Sequence, residues 1–345
     1  MKKLFPLAFL AATSMACAQS SVQITGILGL GVYSEWGAKL VAPYTSNAHA
    51  VVESQDSKVP SRLVFRGVED MGGGVSALFL LDQGVDPTSG AWTLGGLMRE
   101  SYVGLRSTSV GTLTLGRQFH PLFNVRDDYD PTADSSNVMA TAGFRMNSSV
   151  MYRTPTWNGV FAKLAYGFGG VTNNTSASRA VGGHLGYEAG KISTKIGFND
   201  LKDSLGQHSA TNVLWGGSYD FGAVVGYAEY GVNNGAVTGG VFTQAKSTDT
   251  LLGAKVPFGS NTLAVTWIRK NDKMPANQDA TQVQVLLTHY LSKRTAIYLI
   301  GTSINDKNGA PYSTAHAPVS VTAAQISLGA QPFTKELGIG VRHSF

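Results

Sequence analysis

The chain has almost no cysteine. Cys17 is the only cysteine among 345 residues, and it lies in an N-terminal segment that we expect to be removed. The mature chain therefore has neither a disulfide framework nor a thiolate metal site. Histidines and serines are present, but they form no nucleophile-elbow pattern and no metal-ligand spacing. The sequence predicts no catalytic, cofactor or metal site.

Long hydrophobic runs are missing as well. After residue 18 there is no apolar run of about 18 residues, which excludes a membrane-spanning helix. Mean hydropathy is near zero, which also argues against a helical membrane protein. It does not argue against a membrane barrel, because half of each barrel strand faces water. Proline is sparse, with 12 residues. Without Lys2 and Lys3 the net charge falls from +5 to +3, which is too weak to indicate nucleic-acid binding.

The N-terminus carries the features of a secretory signal peptide. Lys2 and Lys3 precede the largely apolar stretch 4–12, and Ala16-Cys17-Ala18 is a small-x-small cleavage site. Cleavage after residue 18 makes Gln19 the first mature residue and residues 19–345 a single barrel domain. A lipoprotein is the alternative, but the residues before the cysteine fit a lipobox poorly.

The sequence is rich in glycine and in segments where apolar and polar residues alternate. There are 41 glycines, well above the usual ~7%, and many lie in strand-like runs, which suits a bent and closed sheet. The last ten residues alternate with a period of two, which indicates a strand with one apolar face. The apolar face comprises Leu337, Ile339, Val341 and Phe345. A C-terminal strand ending on an aromatic is typical of bacterial outer-membrane proteins.

Turns and loops alternate along the chain. Seven short turn signals lie near residues 69–74, 107–111, 156–159, 188–191, 219–222, 257–261 and 291–295. Eight longer polar stretches separate them, near residues 34–59, 83–98, 119–147, 169–178, 200–210, 233–248, 270–280 and 305–335. Fifteen connections join sixteen strands, so the pattern predicts an all-β, antiparallel transmembrane barrel with short turns on one side. A barrel of this size encloses an aqueous channel.

Several motifs resemble one family in its own order along the chain. They are residues 61–74, beginning Ser-Arg-Leu-Val-Phe-Arg-Gly, then 102–105, 111–118, 291–295 and 340–345. Together they are similar to Gram-negative general porins of the beta-proteobacterial type. The resemblance implies a homotrimer of sixteen-stranded barrels in the outer membrane, each with its own pore. It also implies that the third long loop folds into the pore.

The resemblance further implies a constriction between arginines and acids. Arg62 matches the family's pore arginine on the second strand, Arg99 begins the fourth strand, and Asp82 ends the third. Met151 stands where the family usually has arginine, and Arg153 lies two residues on, on the same face. Arg66 shares the face of Arg62.

The third long loop, residues 119–147, carries the acids that are expected to face the arginines. Asp127, Asp128 and Asp130 are the candidates for the constriction, and the loop also holds Arg126, Asp134 and Arg145. The alternative interpretation is an ordinary solvated polar loop.

The sequence thus predicts a passive outer-membrane channel for small hydrophilic solutes and ions, with a preference for anions. The expected surroundings are outer-membrane lipid and lipopolysaccharide, and nucleic acid is not an expected partner. A substrate-selective porin is the main alternative, and a barrel enzyme is a weaker one. Phe345 is expected to act as the assembly signal.

Overall fold

The computed structural model describes residues 21–39, 46–56, 59–132, 138–139, 145–314, 316 and 330–345. Residues 1–18, with Cys17, and Asp134 lie outside them. Seventeen strands are described, namely β1 (Ser21–Lys39), β2 (Ser46–Gln55), β3 (Arg62–Gly72), β4 (Val75–Gly84), β5 (Glu100–Ser107), β6 (Gly111–Phe119), β7 (Arg145–Arg153), β8 (Val160–Gly167), β9 (Ala180–Ala189), β10 (Ile192–Lys202), β11 (Ser209–Asp220), β12 (Val225–Thr238), β13 (Val241–Phe258), β14 (Asn261–Asp272), β15 (Ala280–Tyr290), β16 (Thr295–Asp306) and β17 (Lys335–Ser344). A helix, α1 (Pro121–Tyr129), follows β6, and a 3-10 turn covers Leu94–Gly96. Within this described part, no helix has the length and apolar composition to cross a membrane.

The sheet closes on itself into a barrel. From β3 to β17 each strand pairs antiparallel with the next, and β1 pairs with β17. On its other edge β1 pairs with β2 in its second half and with β3 in its first half. Between those two segments Ser61 Oγ accepts a 3.0 Å hydrogen bond from the Gly29 N–H, in place of a strand neighbour. Since β2 and β3 form one interrupted strand, the barrel has sixteen spanning strands, which confirms the predicted fold class.

The strand faces are inverted relative to a soluble protein. On β15, Gln282 and Gln284 are fully buried toward the interior, whereas Val283 and Val285 are about two-fifths exposed on the outside (42% and 40%). The same alternation puts Leu299 of β16 and Ile339 of β17 on the outer surface. An apolar outer surface with a polar interior is the pattern that a strand needs between lipid and water.

All seven predicted short turns connect the expected strands. Two of the predicted long loops, however, are wrong. The stretch predicted as loop 233–248 is mostly paired strand, with β12 and β13 in register up to Thr238 and Val241. The described parts of 34–59 likewise belong largely to β1 and β2. Polar residues on both faces ended the apolar alternation there, but the backbone ladder continues because pairing does not require apolar side chains.

The third long loop turns inward, as predicted. Helix α1 contacts the inner side of strands β8 to β12. Its apolar side chains form the largest buried cluster in the described residues together with Leu214, Leu251 and Ile268 of the wall. The main apolar core of the described barrel thus lies between a loop helix and one side of the wall.

Phe345 closes the seam between the last strand and the first. Its N–H donates to the Gly26 carbonyl and its carbonyl accepts from the Gly26 N–H, both at 3.0 Å. The phenyl ring covers Gly26 so closely that any side chain there would overlap it.

Candidate channel constriction

Helix α1 begins with a local capping arrangement. His120 is the N-cap residue, and its Nδ1 accepts a 3.1 Å hydrogen bond from the Leu122 N–H, while Pro121 fills the first helical position. Burial lowers the pKa of His120 to about 4. The imidazole is therefore neutral near pH 7, and an unprotonated Nδ1 is what the cap requires.

Glycines in the barrel wall make room for the helix. A Cβ atom on Gly182 would overlap the His120 ring, and one on Gly216 would overlap the Tyr129 ring. A Cβ on Gly197 would lie about 3.0 Å from Val125, which is also too close. The wall strands β9, β10 and β11 therefore present a shallow groove in which α1 lies.

Polar contacts also hold the face of the helix that packs against the wall. The Tyr129 hydroxyl lies 2.8 Å from Ser193 Oγ, and Lys195 Nζ lies 2.5 Å from Asp128 Oδ2 and 3.1 Å from Glu188 Oε1. These ion pairs join the helix to β9 and β10.

A second cation holds the helix further along the wall. Lys163 Nζ donates to Asn124 Oδ1 at 2.8 Å. Its charge also interacts with Glu100 of β5, on the far side of β6 and β7.

A group of arginines lies on the barrel wall opposite the strands against which the helix packs. Arg99 Nε lies 3.3 Å from Asp82 Oδ2, and Arg62 Nη1 donates to the Pro60 carbonyl at 3.2 Å. Arg62 lies within electrostatic range of Arg99, Asp82 and Asp127. The structure therefore brings together Arg62, Asp82, Arg99 and one acid of the third loop.

Two residues that the sequence analysis did not place in the constriction join this group. The Arg145 guanidinium lies 4.6 Å from the centroid of the Phe119 ring, which Arg99 also faces at 5.7 Å. Glu100 accepts a 3.2 Å hydrogen bond from the Phe119 N–H. The sequence shows Arg145 as a charge in the third loop, but only the fold shows that it begins β7 opposite Phe119 at the end of β6.

The three loop acids take three different positions. Asp127 faces the lumen and interacts with Arg62 and Arg99. The enclosing barrel desolvates its carboxyl, and this together with the charges of Asp128 and Asp130 raises its pKa. Asp128 points instead to Lys195.

Asp130 is turned away from the lumen. It is 6% exposed, and its Oδ1 accepts from the Thr132 N–H at 2.9 Å and from Thr132 Oγ1 at 2.8 Å. Glu229 of β12, which the sequence analysis did not single out, is buried close to Asp130 and Arg126. A buried glutamate on an inner strand face has no sequence signal beyond the alternation itself.

Arg66 and Arg153 lie away from the Arg62 group. Arg66 is exposed to the lumen four residues along β3 from Arg62, which is about 13 Å at the usual strand rise. Arg153 ends β7 near the turn, with its guanidinium 4.7 Å from the centroid of the Phe161 ring. Met151 is buried on the inner side, so the charge at that strand lies nearer the turn than the position that the resemblance implied.

An apolar outer surface, a polar interior and an inward loop helix opposite a basic wall define a β-barrel channel of the bacterial outer membrane. A family model described as Gram-negative porin matches residues 7–309. The chain belongs to this family, and it forms a passive channel in the outer membrane.

Known proteins resemble the chain over most of its length. Outer membrane porin protein 32 of Delftia acidovorans is 28% identical over 371 residues, covering 100% of this chain and 99% of the relative. An outer membrane porin protein of Bordetella pertussis is 26% identical over 361 residues, covering 87% and 93%.

Solved structures show the same fold. The anion-selective porin from Comamonas acidovorans superposes with a TM-score of 0.73 at 23% identity, covering 95% of this chain and 100% of that chain. The trimer form of OmpT of Vibrio cholerae has a TM-score of 0.65 at 14% identity, covering 94% and 99%.

Proposed function

We propose that the constriction lies between α1 and the wall that carries Arg62, Arg99 and Arg145, and that it makes the channel prefer anions. The observation that carries this proposal is the grouping of these three arginines on one part of the wall, where Arg99 lies within electrostatic range of both others. Asp82 is paired with Arg99 and Asp128 with Lys195, whereas Asp127 faces several arginines. Basic side chains lining a narrow passage with low-dielectric walls raise the local anion concentration.

The related proteins support this proposal. One structural neighbour is described as an anion-selective porin. The solutes in the proposal are small, hydrophilic and preferably anionic, and the channel performs no chemistry on them. The proposed assembly is a homotrimer in lipid and lipopolysaccharide, in keeping with the trimer form of a neighbour with the same fold.

A planar-bilayer recording across a potassium chloride gradient tests the selectivity. We expect a zero-current potential of the sign that marks chloride as the more permeant ion. A potential of the opposite sign contradicts the proposal. Flux that saturates with one solute indicates a substrate-selective porin instead, and hydrolytic turnover without conductance indicates a barrel enzyme.

We propose that residues 1–18 are removed and that no lipid is attached to Cys17. The reason is the cleavage motif at residues 16–18 together with the poor lipobox. The intact mass of protein purified from outer membranes is expected to match a chain that begins at Gln19. A mass that includes a diacylated cysteine contradicts this.

We also propose that Phe345 serves assembly rather than conduction. Deleting it removes the two backbone hydrogen bonds to Gly26 and uncovers the seam, and unsatisfied backbone groups are costly in lipid. We expect severalfold less heat-resistant oligomer in the outer membrane, with ordinary conductance in the channels that do form.

Truncation of another exposed aromatic provides the control for this deletion. Phe221 lies in the β11–β12 turn and is 68% exposed, so Phe221→Ala is expected to assemble at the level of the unmodified protein. Equal amounts of oligomer with and without Phe345 refute the proposed assembly role.

A further inference from the structure

Three buried metal-ligand side chains meet where the barrel closes. Glu35 of β1 and Glu336 of β17 are directly opposite each other in the strand register, and His316 comes from the connection between β16 and β17. The three residues are 0%, 2% and 8% exposed. One ligand atom from each lies within 4.8 Å of the others, an arrangement found only here among the described residues.

The histidine is held in the orientation of a metal ligand. Its Nε2 lies 3.0 Å from the Gln55 carbonyl oxygen, which only accepts, so Nε2 carries the proton. Its Nδ1 and the Glu336 Oε2 lie 2.8 Å apart and share a proton, which a metal ion bound between them replaces. The ring stacks on Tyr33 with centroids 3.5 Å apart. Metal-binding histidines commonly donate their second ring N–H to a backbone carbonyl in this way.

Each of the two carboxylates has one oxygen that accepts no hydrogen bond from a described residue. Glu35 Oε1 accepts a 3.1 Å hydrogen bond from the Thr314 hydroxyl. Glu35 Oε2 and Glu336 Oε1 are buried and accept no hydrogen bond from a donor among the described residues, and the two carboxyl groups lie close enough to interact directly. Two carboxylates buried side by side repel each other and lose hydration, so a cation between them relieves both costs.

We propose that Glu35, His316 and Glu336 bind one divalent transition-metal cation, with Zn²⁺ as the best match. Two carboxylates and a neutral imidazole carry two negative charges, which balance the cation. Zinc takes histidine and carboxylate ligands in a four-coordinate site, with water in the remaining position. Magnesium and calcium require six or more oxygen ligands, and imidazole favours transition metals.

The site joins parts of the chain that meet only in the closed barrel. Glu35 and Glu336 belong to the first and last strands, and the His316 ring lies beside both glutamates. Because the ligands converge only in the folded state, bound metal stabilises that state and raises the temperature of unfolding.

Zinc binding to full-length, untagged protein in detergent tests the proposal. The protein is stripped with EDTA, and Zn²⁺ binding is measured by equilibrium dialysis and isothermal titration, with Mg²⁺ in excess. We expect the unmodified protein to bind one more equivalent than His316→Ala. Ligand removal is expected to weaken that site by roughly 100-fold or more, because even loss of a supporting contact costs 10- to 100-fold.

A matched control is available in another histidine–carboxylate pair. His208 Nδ1 lies 2.9 Å from Asp203 Oδ2, but the His208 side chain is 58% exposed. His208→Ala is expected to keep the additional equivalent of zinc and the rise in unfolding temperature. Loss of that equivalent in His208→Ala, or equal binding by the unmodified protein and His316→Ala, overturns the proposal.

Glu336→Gln gives a second test that keeps the side-chain volume. It is expected to lose the same equivalent as His316→Ala, and full zinc binding by Glu336→Gln also overturns the site. Heat-modifiable migration on gels establishes that each variant forms a barrel. Where the glutamate variant does not fold, the comparison of His316→Ala with His208→Ala decides.

Discussion

Arg62→Glu is expected to abolish the preference for anions, with a change of about tenfold or more in the chloride-to-potassium permeability ratio. A unit charge about 4 Å from an ion is worth about 1 kcal/mol even in water, so reversing one charge amounts to about 2 kcal/mol. Arg62 lies in the group with Arg99 and Asp127, where the proposed constriction leaves little water or salt around a permeating ion. Zero-current potentials in a potassium chloride gradient measure the effect.

The matched control for this substitution is Lys255→Glu. Lys255 lies on the inner face of β13 in a recess near the barrel end, together with Arg294 and Arg342. The formal charge changes by the same two units, so net charge alone predicts equal effects. A charge on a wide wall is largely screened beyond about 8–10 Å at physiological salt, and we expect a much smaller shift. Equal shifts contradict a constriction at Arg62.

Lys195 does not serve as that control. Its ammonium group is paired with Asp128 and Glu188. A glutamate there changes the charge and also removes the ion pair that holds α1 against the wall. Only the folded structure reveals this distinction, because Lys195, Lys163 and Lys255 are equivalent in the sequence as polar residues on inner strand faces.

The barrel itself follows from the sequence because lipid and water impose a period of two. Val283 and Val285 face outward and Gln282 and Gln284 inward, and a register slipped by one residue would exchange the two faces. The prediction from alternation failed where polar side chains lie on both faces of the strands. At residues 233–248 polar side chains ended the predicted strands, although the backbone ladder continues.

The site was predictable only in part. The resemblance to a known family predicted Arg62, Asp82 and Arg99 as constriction residues. Adjacent strands then bring them together in the fold. The direction of Asp128 depends on Lys195, which lies 67 residues further along the chain. The direction of Asp130 depends on a local turn at Thr132.

The cluster of Glu35, His316 and Glu336 had no sequence signal at all. Its ligands have no regular spacing, and they become neighbours only when β17 pairs with β1. Closure of the barrel brings these side chains together because the two ends of the sequence become adjacent strands there.

Gly216→Val is expected to narrow the channel by pushing the loop helix off the wall. A Cβ on Gly216 overlaps the ring of Tyr129, so a valine there forces α1 toward the lumen. Overpacking of this kind costs about 1–3 kcal/mol, and because conduction depends on the radius of the constriction we expect conductance on the order of twofold lower. Single-channel recordings in symmetric potassium chloride measure the change.

Gly217→Val provides the control on the same strand. A Cβ on Gly217 comes no closer than 3.3 Å to Thr194 and Trp215, on the face opposite to α1. The two variants add the same side chain to neighbouring glycines, so any general weakening of β11 affects both. Conductance is expected to fall in Gly216→Val and to remain ordinary in Gly217→Val. Equal conductance in the two variants contradicts the packing of α1 against this wall. A side chain added at residue 216 points into the space that the Tyr129 ring occupies, so it must displace that ring.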